Sequence, residues 1–391
     1  LALASILVPT LHATQISWSS TAATTAWATG SNWIGGVAPT SDYTSDVAVF
    51  DQLSYANQPN TGTSQIAGLT FGGNSAAVTI SGTARIGTSG IDKQAGSGAV
   101  VFLNAGRLGG GAPQTWTNDS STDLTMGTSG TSSTFGSASG TVTLTLAGSG
   151  SGNIVIHDAI ASTTGGPTAI TVSRTGTGIV ILTGGNAGST YTGGTTVSSG
   201  VLLVNNTVGS GTGSGAVSVQ NTGTLGGSGA VSGATTAAAG SFLSAGSGAG
   251  VAGNLTFGST LDLSGLASGT GGLLFDLGTT GASDTITLSS GALTIGSGTL
   301  DLGDFTFTTL SGFGTGTYTL FDTSTSIVGT LGTNLTGTVD GLNAALSLAN
   351  GGQDLVLTVT AIPEPSAFAA ILGTLALAAA FCRRRYALRP H

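Results

Sequence analysis

Short alternating runs of Val, Ile, Leu and Thr, each closed by Gly, Ser or Asn, recur along almost the whole of this 391-residue chain. Such runs match strands and are too short to form a helical stripe. The 68 glycines supply the turns between them. No proline occurs between Pro167 and Pro363, so the second half is uninterrupted. There Gly repeatedly opens an apolar run: Gly200-Val-Leu-Leu-Val, Gly223-Thr-Leu, Gly240-Ser-Phe-Leu and Gly298-Thr-Leu-Asp-Leu. The first intervals give an irregular period of about 20 residues, the length of one β-solenoid rung. A single rung cannot bury its apolar side, but stacked rungs bury Leu, Val and Ile and pair every backbone ladder. All four tryptophans, Trp18, Trp27, Trp33 and Trp116, lie early, so composition shifts near residue 165. The reading divides the body into 14–165, a β-rich cap or solenoid region, and 166–360, a solenoid.

Only 6% of residues are charged, far below the ~25% of an average soluble protein. The segment 14–361 carries 15 Asp against Arg85, Lys93, Arg107 and Arg174, and no Lys or Arg occurs between Arg174 and Arg383. Phosphate backbones need clustered Lys and Arg, so the body is not expected to bind nucleic acid. The single cysteine, Cys382, excludes an internal disulfide framework.

Both ends read as addresses. Residues 1–13, LALASILVPTLHA, resemble the apolar region and cleavage site of a secretory signal, with the cut after Ala13. At the other end Ile362-Pro363-Glu364-Pro365 precedes sixteen uncharged residues, AFAAILGTLALAAAFC, and then Arg383-Arg384-Arg385. As a helix this apolar run spans about 24 Å, a little less than the hydrocarbon core. The arginines stop transfer and stay cytoplasmic by the positive-inside rule. Pro-Glu-Pro, a short apolar helix and a terminal Arg run together resemble the PEP-CTERM sorting signal of Gram-negative bacteria. The resemblance covers 361–391. It implies that Pro363, Glu364 and Pro365 are read by an exosortase-type sorting enzyme at the inner membrane. It also implies delivery to the cell surface or the exopolysaccharide matrix.

The tract Gly176-Thr-Gly-Ile-Val-Ile-Leu-Thr-Gly-Gly-Asn186, followed by Tyr191-Thr-Gly-Gly-Thr-Thr-Val-Ser-Ser-Gly200-Val-Leu-Leu-Val, is similar to the autotransporter-associated β-strand repeat. One clear copy covers about 174–206. Trp33-Ile-Gly-Gly-Val-Ala-Pro39, Asp46-Val-Ala-Val-Phe50-Asp51 and Ala67-Gly-Leu-Thr-Phe71 look like the opening of the same surface proteins. The resemblance implies a right-handed β-helix similar to an autotransporter passenger. A translocating barrel would need many amphipathic strands near the C-terminus. Here 361–391 read as a helical anchor.

Candidate chemistry is sparse. The body's only histidine, His157, precedes Asp158 and could orient a base for a serine. The nearest serines, Ser149 and Ser151, sit between glycines in a turn, and no G-x-S-x-G occurs. Gly109-Gly110-Gly111 lacks the Lys-Ser/Thr of a phosphate loop. Asp301 and Asp304, with Asp262 and Asp276 on earlier rungs, could line one face of a carbohydrate-active enzyme; turn and rung-edge chemistry is the favoured reading of them. Thr141-Val-Thr143-Leu-Thr145 and Thr285-Ile-Thr287 are the pattern of a water-ordering face. Neither recurs at the spacing visible in the sequence, and the β-propensity of Thr accounts for them.

The expectation is an all-β protein: a right-handed β-solenoid with one C-terminal transmembrane-type helix. Its expected role is non-catalytic, at the surface or in the matrix, sorted through its tail and acting through an extended adhesive face. No cofactor is expected, and exopolysaccharide or other surface proteins are the expected partners. The alternatives are a secreted carbohydrate-active β-helix enzyme and an ice-binding β-solenoid. Converging Asp residues would mark the former and a flat Thr ladder the latter.

Overall fold

The computed structural model describes residues 13–104, 106–129, 134–137, 142–162, 168–246, 250–266, 271–362 and 373–380. Among these, strands form two sheets, of 25 and 7 members. Nearly all pairings are parallel and join each strand to its counterpart one turn of chain later. The chain is therefore a stack of rungs, consistent with the β-solenoid expected.

Three columns of strands run along the stack. The first includes Arg85–Lys93, Gln114–Asn118, Val142–Gly148 and Thr168–Arg174. It continues through Thr195–Val204, Val217–Val219 and Thr235–Ala237. The second starts at Val78–Ile80 and ends at Phe305–Thr309. The third contains Ala230–Val231, Asn254–Phe257, Thr285–Leu288 and Gly316–Thr323. The columns cross the compositional change near residue 165 through the pairing of Val142–Gly148 with Thr168–Arg174.

The core is built from in-register stacks. In the second column Val78, Val100, Leu124, Ile154, Val180, Leu202, Leu225, Leu243, Leu273 and Phe305 lie one above the next. All are buried. Each such side chain contributes about 1.5–3 kcal/mol by leaving water. Gly200 and Gly223, which open two of the runs in the sequence, are direct register partners. At Gly200 the strand Thr195–Val204 passes from the first column to the second. Its φ is +77°, and an added Cβ would lie 2.5 Å from that of Arg174, so only glycine turns this corner.

Rung length varies more than the sequence suggests. Thr195 pairs with Val217 and Val217 with Thr235, steps of 22 and 18 residues, whereas Thr294 to Val328 takes 34. The excess is taken up in the loops, because the ladder fixes the strands.

Both ends of the stack are closed. Trp18, Trp27 and Trp33 pack edge to face, with centroids 4.9 Å apart for Trp18–Trp33 and 4.8 Å for Trp27–Trp33. The Trp33 indole N–H donates to Trp27 O at 2.7 Å. At the other end Gly316–Thr323, Asp354–Thr360, Leu342–Ala349 and Thr336–Val339 pair antiparallel. This blunts the parallel edge of the third column.

The corner after the first column holds two buried cations. Lys93, Asn118, Gly148 and Arg174 occupy successive rungs. The five N–H groups of the Arg174 guanidinium all find backbone carbonyls: Asn118 and Ala147 from Nη1, Gly150 and Gly152 from Nη2, Gly178 from Nε, at 2.8–3.2 Å. Gly148 must lack a side chain here, since a Cβ would meet Asn118 O at 2.2 Å. The Lys93 ammonium donates to Thr122 O and Oγ1 at 2.9 and 2.8 Å. Burial lowers both basic groups, Lys93 to about 8. Asn118 O and Gly150 O also accept the N–H groups of Gly150 and Gly178 one rung on, so the cations add charge-assisted hydrogen bonds to the corner's own backbone ladder.

The expected tail is described only in part. Residues 373–380 are helical and exposed. Among the described residues no helix is long and apolar enough to cross a membrane, so the transmembrane-type helix read from the apolar run is not borne out. Pro363, Glu364 and Pro365, the basic cluster Arg383, Arg384 and Arg385, Cys382 and residues 1–12 of the signal-like segment lie outside the described residues.

Replacing Arg174 by Met removes five hydrogen bonds to carbonyls on three rungs. It is expected to lower stability by at least about 3 kcal/mol, and Arg174→Lys by less, because one ammonium cannot reach all five acceptors. Urea unfolding followed by far-ultraviolet circular dichroism checks the order: wild type, then R174K, then R174M.

Candidate binding face

Period-two alternation sends every second residue of each rung outward. On the first column one outward position carries Thr115, Thr145, Thr171, Thr196, Ser218 and Thr236 on six successive rungs. At about 4.8 Å per rung the ladder is roughly 24 Å long. Thr115 and Thr236 are exposed and the four between them half-buried. None of the six hydroxyls bonds another described residue, so all face solvent with donor and acceptor capacity intact. Asp262 and Thr294 continue the position beyond Thr236.

This corrects the sequence reading, in which the Thr pattern did not recur. Thr145 belongs to a ladder whose members are 30, 26, 25, 22 and 18 residues apart, as their paired positions show. A fixed period cannot detect them. The β-propensity of Thr does not by itself produce the ladder. The second column's outward position, equally strand-like, holds Val101, Thr125, Val155, Ile181 and Leu203 before it passes to Gly226 and Ser244. Hydroxyls therefore concentrate on one face and aliphatic groups on another. The second Thr pattern behaves differently: Thr287 pairs with Thr256 and Asp322 and spends its hydroxyl on Asn254 Oδ1 at 3.0 Å.

The candidate carboxylates do not converge. Asp262 accepts the N–H of Ser264 at 2.9 Å. Asp301 and Asp304 form a reciprocal cap on one turn, Asp304 accepting the N–H of Asp301 at 2.7 Å, and Asp301 also accepts from Asn334 N on the next rung. Asp276 accepts the N–H of Gly250 at 2.6 Å. Asp119 and Asp123 bridge rungs to the N–H groups of Ser149 and Asn153. These are the turn and rung-edge roles that small acids fill well. Among the described residues no three His, Cys, Asp or Glu lie where they could hold a metal ion.

His157 and Asp158 are not joined by a serine. His157 Nδ1 lies 3.4 Å from Thr183 Oγ1, while Ser149 is held by Asp119 at 2.9 Å. Burial lowers the imidazole's pKa, with Asp158 opposing. The buried Asp158 carboxyl lies against Gly127, where an added Cβ would come within 2.4 Å of it. The repeat-like tract also has local physical roles. Tyr191 is buried with its hydroxyl on Thr195, and Gly193 sits where a Cβ would meet Thr168 O at 2.4 Å.

The chain matches no protein-family model, and no curated protein matches it.

Asp284 is a buried acid displaced from its ordinary value. Burial pushes it up to about 6, although it accepts the N–H groups of Gly253 and Asp276 at 2.8 Å. Its folded form therefore takes up a proton before the unfolded chain does. The associated stability is fully present below the ordinary carboxylate value near 3.8 and is lost as pH rises through about 6. Wild type is expected to gain stability relative to Asp284→Asn between pH 7 and pH 4 and to change little relative to it above pH 7. Paired urea titrations across that range measure the difference.

Proposed function

We propose that this chain is an exported, non-catalytic surface or matrix protein: a right-handed β-solenoid similar to an autotransporter passenger, sorted through its PEP-CTERM-like tail. The hydroxyl ladder from Thr115 to Thr236 is the observation that carries the reading. A straight row of unspent hydroxyls suits repeated weak contacts with a hydrated polymer or another surface. Its affinity comes from many rungs acting together. Many of the carboxylates and two of the four basic residues of the body, by contrast, are committed to backbone groups. The tail supplies the address: Pro363, Glu364 and Pro365 as the motif for an exosortase-type enzyme, and Arg383, Arg384 and Arg385 as the stop at the inner membrane.

A second reading draws on the same ladder. A flat Thr row can order water, as the ice-binding alternative requires. Asp262 breaks the row, and Ser218 interrupts its methyl groups. A regular Thr surface is what that function needs, so adhesion is the better account.

Two measurements test the proposal. Mass spectrometry of the C-terminal peptide, from protein fractionated out of its native host, is expected to find a terminus near Pro363–Pro365 outside the inner membrane. An intact Arg383–Arg385 end in the inner-membrane fraction overturns sorting. Replacing Thr145, Thr171 and Thr196 together by Val keeps shape and removes hydroxyls. This variant is expected to reach the surface in normal amount and to attach less. Unchanged attachment overturns the role of the ladder.

A further inference from the structure

Around the corner from the ladder lies a groove of about 540 Å³. It crosses five rungs, from Ser189 through Ser210, Ser232 and Gly258 to Ser289. At about 4.8 Å per rung its floor is roughly 19 Å long and parallel to the stacking axis. The floor is internally satisfied: Ser189 Oγ accepts the N–H of Ile160 at 3.1 Å, and Ser210 Oγ donates to Gly213 O at 2.8 Å. The rim is not. The hydroxyls of Thr190, Ser214, Ser232 and Thr256 bond no other described residue. Thr190, Ser214 and Ser232 are exposed and Thr256 is half-buried.

The electrostatics narrow the ligand. No Asp, Glu, Lys, Arg or His occurs between Arg174 and Asp262, which includes all of the groove except Ser289. Asp284, the nearest acid in sequence to Ser289, is buried and accepts two backbone N–H groups. A charged polymer would surrender hydration here without gaining an opposite charge. The lining offers no aromatic or large aliphatic side chain, so an apolar side-chain anchor has no seat. What remains is one hydroxyl after another, each both donor and acceptor, at rung spacing.

We propose that this groove binds an extended, uncharged polysaccharide strand along the stacking axis, held by hydrogen bonds to Thr190, Ser214, Ser232 and Thr256. The site is separate from the Thr115–Thr236 ladder, and it does not depend on where the chain is delivered.

Native gel electrophoresis of the full chain through gels cast with single polysaccharides tests this. The probes are an unbranched β-1,3-glucan, a galactomannan and dextran, which are uncharged, and alginate, which is acidic. Retardation by at least one uncharged probe, unchanged by added salt, is the expected result. Ser232→Phe, which fills the groove, is expected to weaken that retardation by about tenfold or more. Ser214→Phe is a second filler on another rung, and both are checked for wild-type circular dichroism. Three results overturn the proposal: no retardation by any uncharged probe, retardation by alginate alone, or full retardation in both folded Phe variants. If the Thr145, Thr171 and Thr196 to Val variant loses retardation while the Phe variants keep it, the groove fails as a site and the ladder stands.

Discussion

Corner carbonyls are the constraint on which the stack depends. Strand carbonyls in parallel columns find partners in the next rung; at the corners the backbone pairs some of them, as Gly150 N–H does Asn118 O, and side chains supply further donors, because a buried acceptor without a donor costs free energy. One corner is held by Arg174, whose guanidinium spends every N–H on backbone oxygens of its own and neighbouring rungs. Lys93 does the same on an earlier rung, and Asn118 adds its amide to Thr122 O and Asn153 O. Elsewhere Asp119, Asp123 and Asp301 supply acceptors to N–H groups one rung away. A body with so few charges uses several of them as backbone partners. Their placement explains why a low charge content still includes buried cations.

Once the corners are satisfied, the register does the rest. A ladder that places Leu225 over Leu202 places Ser218 over Thr196 on the neighbouring column. Core and outer face are thus coupled through the backbone, and slipping one rung by a residue would exchange the two. An outward hydroxyl row therefore rests on a geometry that burial already enforces. Loops absorb the differences in rung length without disturbing either side.

Much of this architecture was legible in the sequence, because alternation and glycine placement are local. Gly200 and Gly223 marked corresponding points of adjacent rungs; the early tryptophans marked only a compositional shift, and their role in closing one end came from the packing. The candidate face was not legible. Its members are separated by 18 to 30 residues, and nothing in a short window distinguishes Thr171 from Thr287, whose hydroxyl is spent. Arg174 was equally opaque. A lone basic residue in a Gly-rich run reads as a solvated charge, and only the stacking of Gly148 beneath it shows the space it fills. The turn roles of Asp262, Asp301 and Asp304 were anticipated, since small acids beside glycine serve backbone N–H groups in most folds.

The distribution of hydrogen-bonding capacity separates support from recognition. Strong groups, the carboxylates and cations, are largely consumed by backbone partners and hold rungs together. Weak groups, the hydroxyls of Thr and Ser, remain open on the first column and along the groove rim. A surface of this kind gains little from any single contact, because each hydroxyl exchanges one bond to water for another of similar strength. It gains from repetition. A ligand engaging one rung is held at a high effective concentration over the next, so affinity grows with the number of rungs engaged. Stacking of rungs, required first to bury Leu, Val and Ile, is therefore also the means by which a face without charge or aromatic anchors can bind at all.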